Sequence, residues 1–311
     1  MSNENFTITK NGTITGYRGS GGDIAIPEGV TEIWQHAFCY RKISSVVIPQ
    51  GVTKIGSHAF SNNQLSSVAI PEGVTKIGMD AFSNNQLSSV AIPEGVTEIG
   101  ENAFCNNQLS SVEIPASVTE IDENAFSNNQ LTEIAIPASV KELSGFAKNQ
   151  LQSVVIPFGV TKIGKVAFWG NQLSSVEIPQ NVTKIGNYAF WENQLTEIII
   201  PKSVREIGCY AFAENRLAKV AIPDNVTVRS DAFILNSITE ITIGHNVVLD
   251  NKYHYHDQLL FMNQKNYYHD YGAYSCFDFG FDDFYNGNGR KAGTYIYNKE
   301  NKIWLNDMIG D

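Results

Sequence analysis

The strongest cluster of side chains that could bind a metal ion lies near the C-terminus, in the segments YHYHD and YYHDY. These segments supply His254, His256, Asp257, His269 and Asp270. On a β-strand, His254 and His256 would share one face, and imidazole is a common ligand of divalent transition metals. However, the chain has no cysteine pair at ligand spacing and no helical HExxH motif. Because histidines scattered through an aromatic segment are more often structural, the sequence predicts no metal site and leaves His254, His256 and His269 as candidates only.

A second group of oxygen ligands, Asp278, Asp282 and Asp283, stands beside the run NGNG at 286–289. The DxDxDG spacing of an EF-hand loop is absent, and a solvated acidic turn accounts for the same residues. The chain also lacks a GxSxG motif, a persuasive Ser/His/Asp order and a cysteine with an obvious base. The sequence therefore predicts a protein with no cofactor and no enzymatic activity.

The composition limits the classes of partner. The formal net charge is -10 and the pI is near 5.1, which disfavours nucleic acid and anionic lipid because both require clustered Lys and Arg. No apolar run reaches the ~18 residues of a membrane span, so no membrane insertion is expected. The N-terminal sequence MSNENFTITKNGTITGY lacks the basic and apolar regions of a secretory signal. It leaves open a cytosolic location and a secreted protein whose signal is not part of this chain.

The elements that must position any site are set by an internal repeat. All ten prolines recur at a spacing of 22 residues, except for one unit of 20. Two units, at 140–150 and 226–233, lack two residues and one residue, and these losses are expected to spare the strand register. The prolines are Pro27, Pro49, Pro71, Pro93, Pro115, Pro137, Pro157, Pro179, Pro201 and Pro223. About ten copies of one unit predict a repeat solenoid.

One unit explains the coil position by position. It begins at Leu65 with LSSVAIP, whose LxxVxI pattern predicts an apolar strand that ends at Pro71, because proline cannot donate to a ladder. A second apolar pair, Val74 and Ile77, is expected to face inward from the opposite wall. Each unit is therefore one coil with two walls.

Two further columns complete the predicted core. Phenylalanine recurs in one slot and is expected to stack along the solenoid axis. Its members are Phe38, Phe60, Phe82, Phe104, Phe126, Phe146, Phe168, Phe190, Phe212 and Phe233. Asparagine recurs just before the strand, where a buried amide can bond the backbone of adjacent coils as a ladder. Its members are Asn63, Asn85, Asn107, Asn129, Asn149, Asn171, Asn193, Asn215 and Asn236.

Segments such as IPEGVTEIGENAF and IPASVTEIDENAF resemble the BspA-like leucine-rich repeats, a family of bacterial and protist surface proteins. The resemblance spans residues 23 to about 244. It implies a curved, right-handed, β-rich solenoid with a parallel sheet on its concave wall. It also implies display at the cell surface or secretion, and adhesion to host or extracellular-matrix proteins.

An open solenoid exposes its core at both ends and needs caps. The segment FTITKNGTITGY alternates around Asn11-Gly12, which predicts a two-residue turn in a hairpin cap over residues 1–22. The solenoid is expected over 23–244. Residues 245–311 are rich in aromatics, and TYIY before IWL predicts a terminal hairpin within a C-terminal cap or small β domain.

The later units carry the candidate binding residues. Trp169 and Trp191 occupy one slot in neighbouring units, and Tyr188 and Tyr210 occupy another, so each pair should lie ~5 Å apart. Exposed paired aromatics suit protein or glycan recognition. Alternatively, these rings pack against the tail or shield the asparagine ladder.

The outward positions of the predicted strand also change along the chain. The middle units present small groups, whereas later units present Glu177, Glu197 and Ile199. Recognition by this wall is therefore expected in the later units. Together these features predict a non-enzymatic binding protein whose extended surface recognises a protein ligand, with adhesion as the leading interpretation. The alternative is a structural spacer whose C-terminal tail carries the binding.

Overall fold

The computed structural model describes residues 3–250, 281, 285, 289–298 and 303–306. Within these residues the chain coils into a parallel-sheet β-solenoid of about 11 turns. A 13-stranded sheet runs the length of the solenoid, and sheets of two and four strands lie at its two ends. The predicted fold class, a repeat solenoid with a parallel sheet, is confirmed.

Within residues 3–250, 289–298 and 303–306, the regular elements are a short 3-10 helix at Asn3–Asn5 and 19 strands. In chain order the strands are β1 Phe6–Ile8, β2 Thr13–Tyr17, β3 Gly22–Ala25, β4 Glu32–Ile33, β5 Ile43–Val47, β6 Lys54–Ile55, β7 Lys76–Ile77, β8 Glu98–Ile99, β9 Glu120–Ile121, β10 Glu142–Leu143, β11 Lys162–Ile163, β12 Lys184–Ile185, β13 Glu206–Ile207, β14 Lys219–Ile222, β15 Thr227–Arg229, β16 Glu240–Ile243, β17 Val248–Asp250, β18 Gly293–Asn298 and β19 Ile303–Asn306.

The long sheet lies on the wall opposite to the one that the apolar pattern favoured. Its strands are two-residue segments such as β7 and β8, which pair in parallel with Lys76 beside Glu98 and Ile77 beside Ile99. On the LxxVxI wall, the described strands occur only near the ends of the solenoid, and Ala69 and Ala91 form isolated bridges between them. The expectation of a strand starting at Leu65 is therefore wrong for that unit.

The asparagine ladder supplies the physical reason for this difference. Along the LxxVxI wall, the backbone N–H of the Leu that begins a segment donates to the Oδ1 of a ladder asparagine rather than to a carbonyl oxygen of a neighbouring strand. Leu87, for example, donates to Oδ1 of Asn107 at 3.0 Å. The apolar pattern reports which side chains face the core, whereas strand pairing depends on which backbone groups remain free to bond.

Stacked phenylalanine rings fill the centre of the solenoid, as predicted. From Phe38 to Phe233, consecutive rings lie 5.0–6.0 Å apart between centroids, with interplanar angles of 4–16°. All ten rings are fully buried. The rings are parallel because identical positions repeat at the ~4.8 Å spacing of the strands.

The asparagine ladder is also confirmed. Nδ2 of Asn107 donates to the carbonyl oxygens of Phe82 at 3.0 Å and Phe104 at 3.1 Å, which belong to two successive coils. Its Oδ1 accepts from the backbone N–H of Leu87, which begins the unit that contains Asn107. The same arrangement recurs at Asn85 and Asn129. Each amide thus joins two coils through buried backbone groups that would otherwise lack partners.

The two shortened units keep the register of the long sheet. Leu143 pairs with Ile121, and Val228 pairs with Ile207. In the first of these units Gly145, with φ of 101°, stands where the turn is shortened. The expectation that the missing residues spare the strand register is confirmed.

A β-hairpin closes the N-terminal end of the solenoid. β1 and β2 are antiparallel, with Phe6 opposite Tyr17, and β2 continues in parallel into β4. The connection runs from Thr9 to Gly12 rather than through a two-residue turn, and Gly12 has φ of 79°. Phe6 and Tyr17 cover the first ring of the phenylalanine stack.

The C-terminal end is closed by a second hairpin. β18 and β19 are antiparallel, and β18 pairs with β16 of the last turns. Four buried aromatic side chains form a small core behind it, with Phe281 at edge-on contact of 5.3 Å from Tyr295 and 4.9 Å from Trp304. The predicted terminal hairpin is confirmed. No helix among the described residues is long and apolar enough to cross a membrane.

A row of like charges lies along the long sheet. Glu98, Glu120 and Glu142 follow one another in register, whereas lysines in neighbouring turns form ion pairs, such as Lys54 with Glu32 at 2.8 Å. Partial burial, followed by the nearby carboxylates, raises the pKa of Glu120. A raised pKa in the folded state means that the charged carboxylate destabilises the fold at neutral pH.

We expect Glu120→Lys to increase the free energy of unfolding by about 0.5 kcal/mol at neutral pH. The substitution turns the repulsion between residue 120 and its neighbours Glu98 and Glu142 into attraction. The increase should appear in thermal unfolding as a rise in Tm of about 1–2 °C. Since the pKa of Glu120 is raised on folding, its destabilising contribution is absent below its unfolded pKa and develops as the pH rises through its folded pKa. The difference between the two proteins should therefore shrink on acidification, and an equal difference at pH ~4 would contradict this origin.

Candidate functional site

The predicted aromatic residues form one cluster beside the phenylalanine stack. Trp169 and Trp191 stack at 5.2 Å with an interplanar angle of 6°, and Tyr188 and Tyr210 stack at 5.2 Å and 2°. Tyr188 also contacts Trp191 at 5.4 Å, which joins the two pairs. The separations agree with the shared slots of the repeat.

Local backbone conformation positions these rings. Tyr188 and Tyr210 stand directly before Ala-Phe, where the φ angles are 60° and 56°. Earlier units place Asn102 and Asn124 at the same left-handed position, which asparagine tolerates well. The tyrosines are therefore held in a conformation that bulky residues adopt only when the surrounding structure fixes it.

The cluster is less exposed than expected. Trp191 is only 8% exposed, and the other three rings are half-buried. In earlier units the slot of Trp191 holds Ser61, Ser83 and Cys105, which are all buried. The burial of Trp191 therefore favours, for this ring, the alternative of a structural role, and the small residues in its slot are the sequence signal for a buried position.

An ion pair covers part of the cluster. Nζ of Lys148 lies 2.6 Å from Oε2 of Glu192 and 4.3 Å from the centroid of a Trp169 ring. Nε1 of Trp169 donates to the same carboxylate oxygen at 3.2 Å. The polar edge and one face of Trp169 are therefore already occupied, which reduces its value as an anchor for a partner.

Tyr210 does not provide acid–base chemistry near neutral pH. Burial raises the pKa of its phenol, and the adjacent Asp231 raises it further. The hydroxyl therefore stays protonated at neutral pH. Burial likewise raises the pKa of the Cys105 thiol to about 11, so that thiol stays neutral as well.

The LxxVxI wall of the later units presents the most exposed apolar side chains near the predicted residues. Glu177 and Glu197 are exposed, as is Ile199 at 79%. Val155 is 82% exposed and occupies the same outward slot as Ile199, two turns earlier. Two turns correspond to ~10 Å, with Glu177 in the slot between them.

Phe158 extends this wall around the following turn. Its side chain is 69% exposed, and its carbonyl oxygen accepts from Nδ2 of Asn181 in the next coil at 3.0 Å. Sequence reasoning missed both Phe158 and Val155. The signal was present, because the other units place a polar residue or Ala at the slot of Phe158, and most of them place Ala or Glu at that of Val155.

The histidine candidates His254, His256 and His269 lie outside the described residues. Among the residues that the structure does describe, no three His, Cys, Asp or Glu side chains are grouped as a metal site would require. Cys39, Cys105 and Cys209 are free thiols.

The stacked coils, the phenylalanine column and the asparagine ladder define a leucine-rich-repeat solenoid. Such solenoids typically mediate protein–protein interaction and are generally non-enzymatic. The model of the BspA type leucine rich repeat region matches residues 31–147 and 142–260, with six copies. The chain belongs to the BspA-type leucine-rich-repeat family.

Solved structures of bacterial leucine-rich-repeat proteins are similar to this chain. A leucine-rich repeat protein from Bacteroides ovatus is 24% identical with a TM-score of 0.64, over 77% of this chain and 69% of that protein. The pneumococcal vaccine antigen PcpA is 23% identical with a TM-score of 0.55, over 78% of this chain and 82% of the antigen. A leucine rich cell surface protein from Faecalibacterium prausnitzii is 27% identical with a TM-score of 0.48, over 78% and 87%. No curated protein matches the sequence.

Proposed function

We propose that this chain is a non-enzymatic binding protein, displayed at the cell surface or secreted, that recognises a protein ligand through one wall of its later units. The contact surface is the apolar wall patch, formed by Val155, Phe158 and Ile199, with Glu177 and Glu197 beside them. The family includes surface proteins, which supports this location. The role that we propose is adhesion to host or extracellular-matrix proteins.

The exposure of three large apolar side chains carries this proposal. Solvated Val, Phe and Ile gain roughly 1.5–3 kcal/mol each when a partner buries them fully, so they are suitable anchors. In the middle units the outward slot of Val155 and Ile199 holds Ala69 and Ala91, which offer little area.

The charges around the patch indicate the chemistry of the partner. Glu177 and Glu197 are exposed beside the apolar side chains, and the whole chain carries a net charge of -10. A partner surface that combines apolar and basic residues would complement both features and be steered towards them.

The aromatic cluster contributes a second and weaker contact area. Trp169, Tyr188 and Tyr210 are half-buried, and the buried Trp191 contacts all three rings. Because Lys148 and Glu192 occupy part of Trp169, a partner gains less from these rings than from the apolar wall patch.

The proposal is tested by a binding screen of the full chain against purified extracellular-matrix and plasma proteins. For a ligand found in this way, Val155→Ser/Ile199→Ser should weaken binding roughly a hundredfold, equivalent to ~2.7 kcal/mol. The matched control is Val47→Ser, because Val47 is exposed in the same slot of the first full unit. The control should bind like the unchanged protein.

Equal affinity of the ligand for the double variant and for the unchanged protein would contradict the proposal that the apolar wall patch is the contact surface. That result would favour the alternative function, in which the regular units act as a spacer and the tail binds. A screen in which none of these proteins binds would contradict the adhesion role.

A further inference from the structure

A small groove lies on the long-sheet wall in the first turns of the solenoid, on the wall opposite to the apolar wall patch. Its cavity volume is about 170 Å³, and its most prominent side chain is Trp34, which is 45% exposed. Glu32, Gln35, Lys54, Ser57 and Lys76 also line it. We call this feature the Trp34 groove.

Close packing of the coils creates the groove. The next two turns place Gly56 and Gly78 in the slot of Trp34. A Cβ atom on Gly56 would lie 2.8 Å from the nitrogen of Gln35, and one on Gly78 would lie 2.7 Å from the nitrogen of Ser57. Since no side chain fits at these two positions, the indole of Trp34 stands at the end of a shallow channel with a backbone floor.

Each charged side chain of the groove forms an ion pair. Nζ of Lys54 lies 2.8 Å from Oε1 of Glu32 and 5.8 Å from the centroid of a Trp34 ring. Lys76 forms an ion pair with Glu98 of the next turn. The groove therefore offers fixed hydrogen-bond donors and acceptors around an aromatic face without an excess of either charge.

The size of the groove limits the ligand. Pockets for drug-sized molecules begin at ~300 Å³, so this cavity accommodates a single small ring. An apolar side chain of a protein partner is a poor fit, because Trp34 is the main apolar side chain that the groove exposes. A polyanion is also a poor fit, because carboxylates already pair with both lysines. A pyranose ring fits both properties, because its C–H face packs on indole and its hydroxyl groups bond to charged and amide side chains.

We propose that the Trp34 groove binds one pyranose ring of a neutral glycan. Trp34 supplies the stacking face, Glu32 accepts hydrogen bonds from the sugar hydroxyls, and Lys54 and Lys76 donate to them. This site is independent of the protein-binding wall, and each can fail without the other. It adds a carbohydrate-binding site to a solenoid whose other wall contacts proteins.

The test follows the indole N–H signals of the full chain by NMR while neutral hexasaccharides are added. The probes are maltohexaose, cellohexaose, chitohexaose and mannohexaose, and the Trp34 signal is assigned as the one missing from Trp34→Phe. With at least one probe, the Trp34 signal should shift with a Kd of about 1 mM or below. The signals of the other tryptophans should stay in place.

Two variants and one competing ligand make the outcome decisive. Trp34→Ala should weaken binding at least tenfold while the far-UV circular dichroism stays unchanged, because Trp34 is partly exposed. The control Trp169→Phe should bind like the unchanged protein. No shift of Trp34 with any neutral probe up to about 10 mM would overturn the proposal. Binding only to a heparin hexasaccharide, abolished by added salt, would also overturn it, since that pattern indicates a polyanion site.

Discussion

Replacing Asn107 by alanine is expected to lower the free energy of unfolding by about 3–5 kcal/mol, because it leaves several buried backbone groups without partners. Nδ2 of Asn107 donates to the carbonyl oxygens of Phe82 and Phe104, and its Oδ1 accepts from Leu87 at 3.0 Å. Each orphaned buried group costs about 1–3 kcal/mol, and Asn107 is too buried for water to replace all three bonds at once. The loss should appear as a lower midpoint of guanidinium chloride unfolding.

Two further variants separate hydrogen bonding from packing. Gln108→Ala removes an exposed amide from the neighbouring position and should change the free energy of unfolding by less than about 0.5 kcal/mol. Asn107→Asp keeps the shape but replaces the two N–H donors by an oxygen that faces carbonyl oxygens. At neutral pH it should therefore be at least as destabilising as Asn107→Ala. Full stability of Asn107→Asp would show that shape alone explains the ladder.

The core of this protein could be predicted from its repeat because each slot recurs with the same chemistry. Ten phenylalanines in one slot indicate a stack, and nine asparagines before an apolar segment indicate a buried amide ladder. Both columns have the predicted structure, since any residue copied at this spacing meets its own copies at ~4.8 Å. The two hairpins could also be predicted, because their sequences alternate around turn residues.

The location of the long sheet could not be predicted from apolar pattern alone. The LxxVxI segment around Val68 has the stronger β pattern, yet the amide of Asn85 takes the backbone N–H of Leu65 at 3.1 Å. The adjacent VTKI segment keeps its backbone groups free and pairs with its copies as β7 and β8. Which of two apolar walls carries the ladder depends on this competition for hydrogen bonds.

The candidate site was predicted in part. The stacking of Trp169 on Trp191 follows from spacing, but the covering ion pair joins Lys148 to Glu192, two turns apart in different units, and spacing alone does not show that their side chains meet. Of the three apolar residues in the apolar wall patch, the sequence predicted only Ile199 as a binding residue. Val155 and Phe158 were missed because most Val and Phe residues elsewhere in the chain belong to the core, although a comparison of their slots between units would have indicated them.

The phenylalanine stack gives the second large expected effect. Phe104→Ala should lower the free energy of unfolding by about 3–5 kcal/mol, since a fully buried ring is removed and the solenoid cannot collapse around the cavity. Phe104 lies between Phe82 at 5.5 Å and Phe126 at 5.4 Å, so both neighbouring rings lose contact. Phe104→Leu refills most of the volume and should cost about 1–2 kcal/mol.

The matched control for this substitution is Phe158→Ala, which removes the same side chain from a position that is 69% exposed. It should change the free energy of unfolding by less than about 1 kcal/mol. Because the core of each coil packs on the cores of its neighbours, the damage from Phe104→Ala should stay local. Hydrogen exchange should show faster opening first in the turns around Phe82, Phe104 and Phe126, while the two terminal hairpins keep their protection. Uniform acceleration along the whole chain would instead mean that the stack unfolds as a single cooperative unit and that end caps and middle coils share one stability.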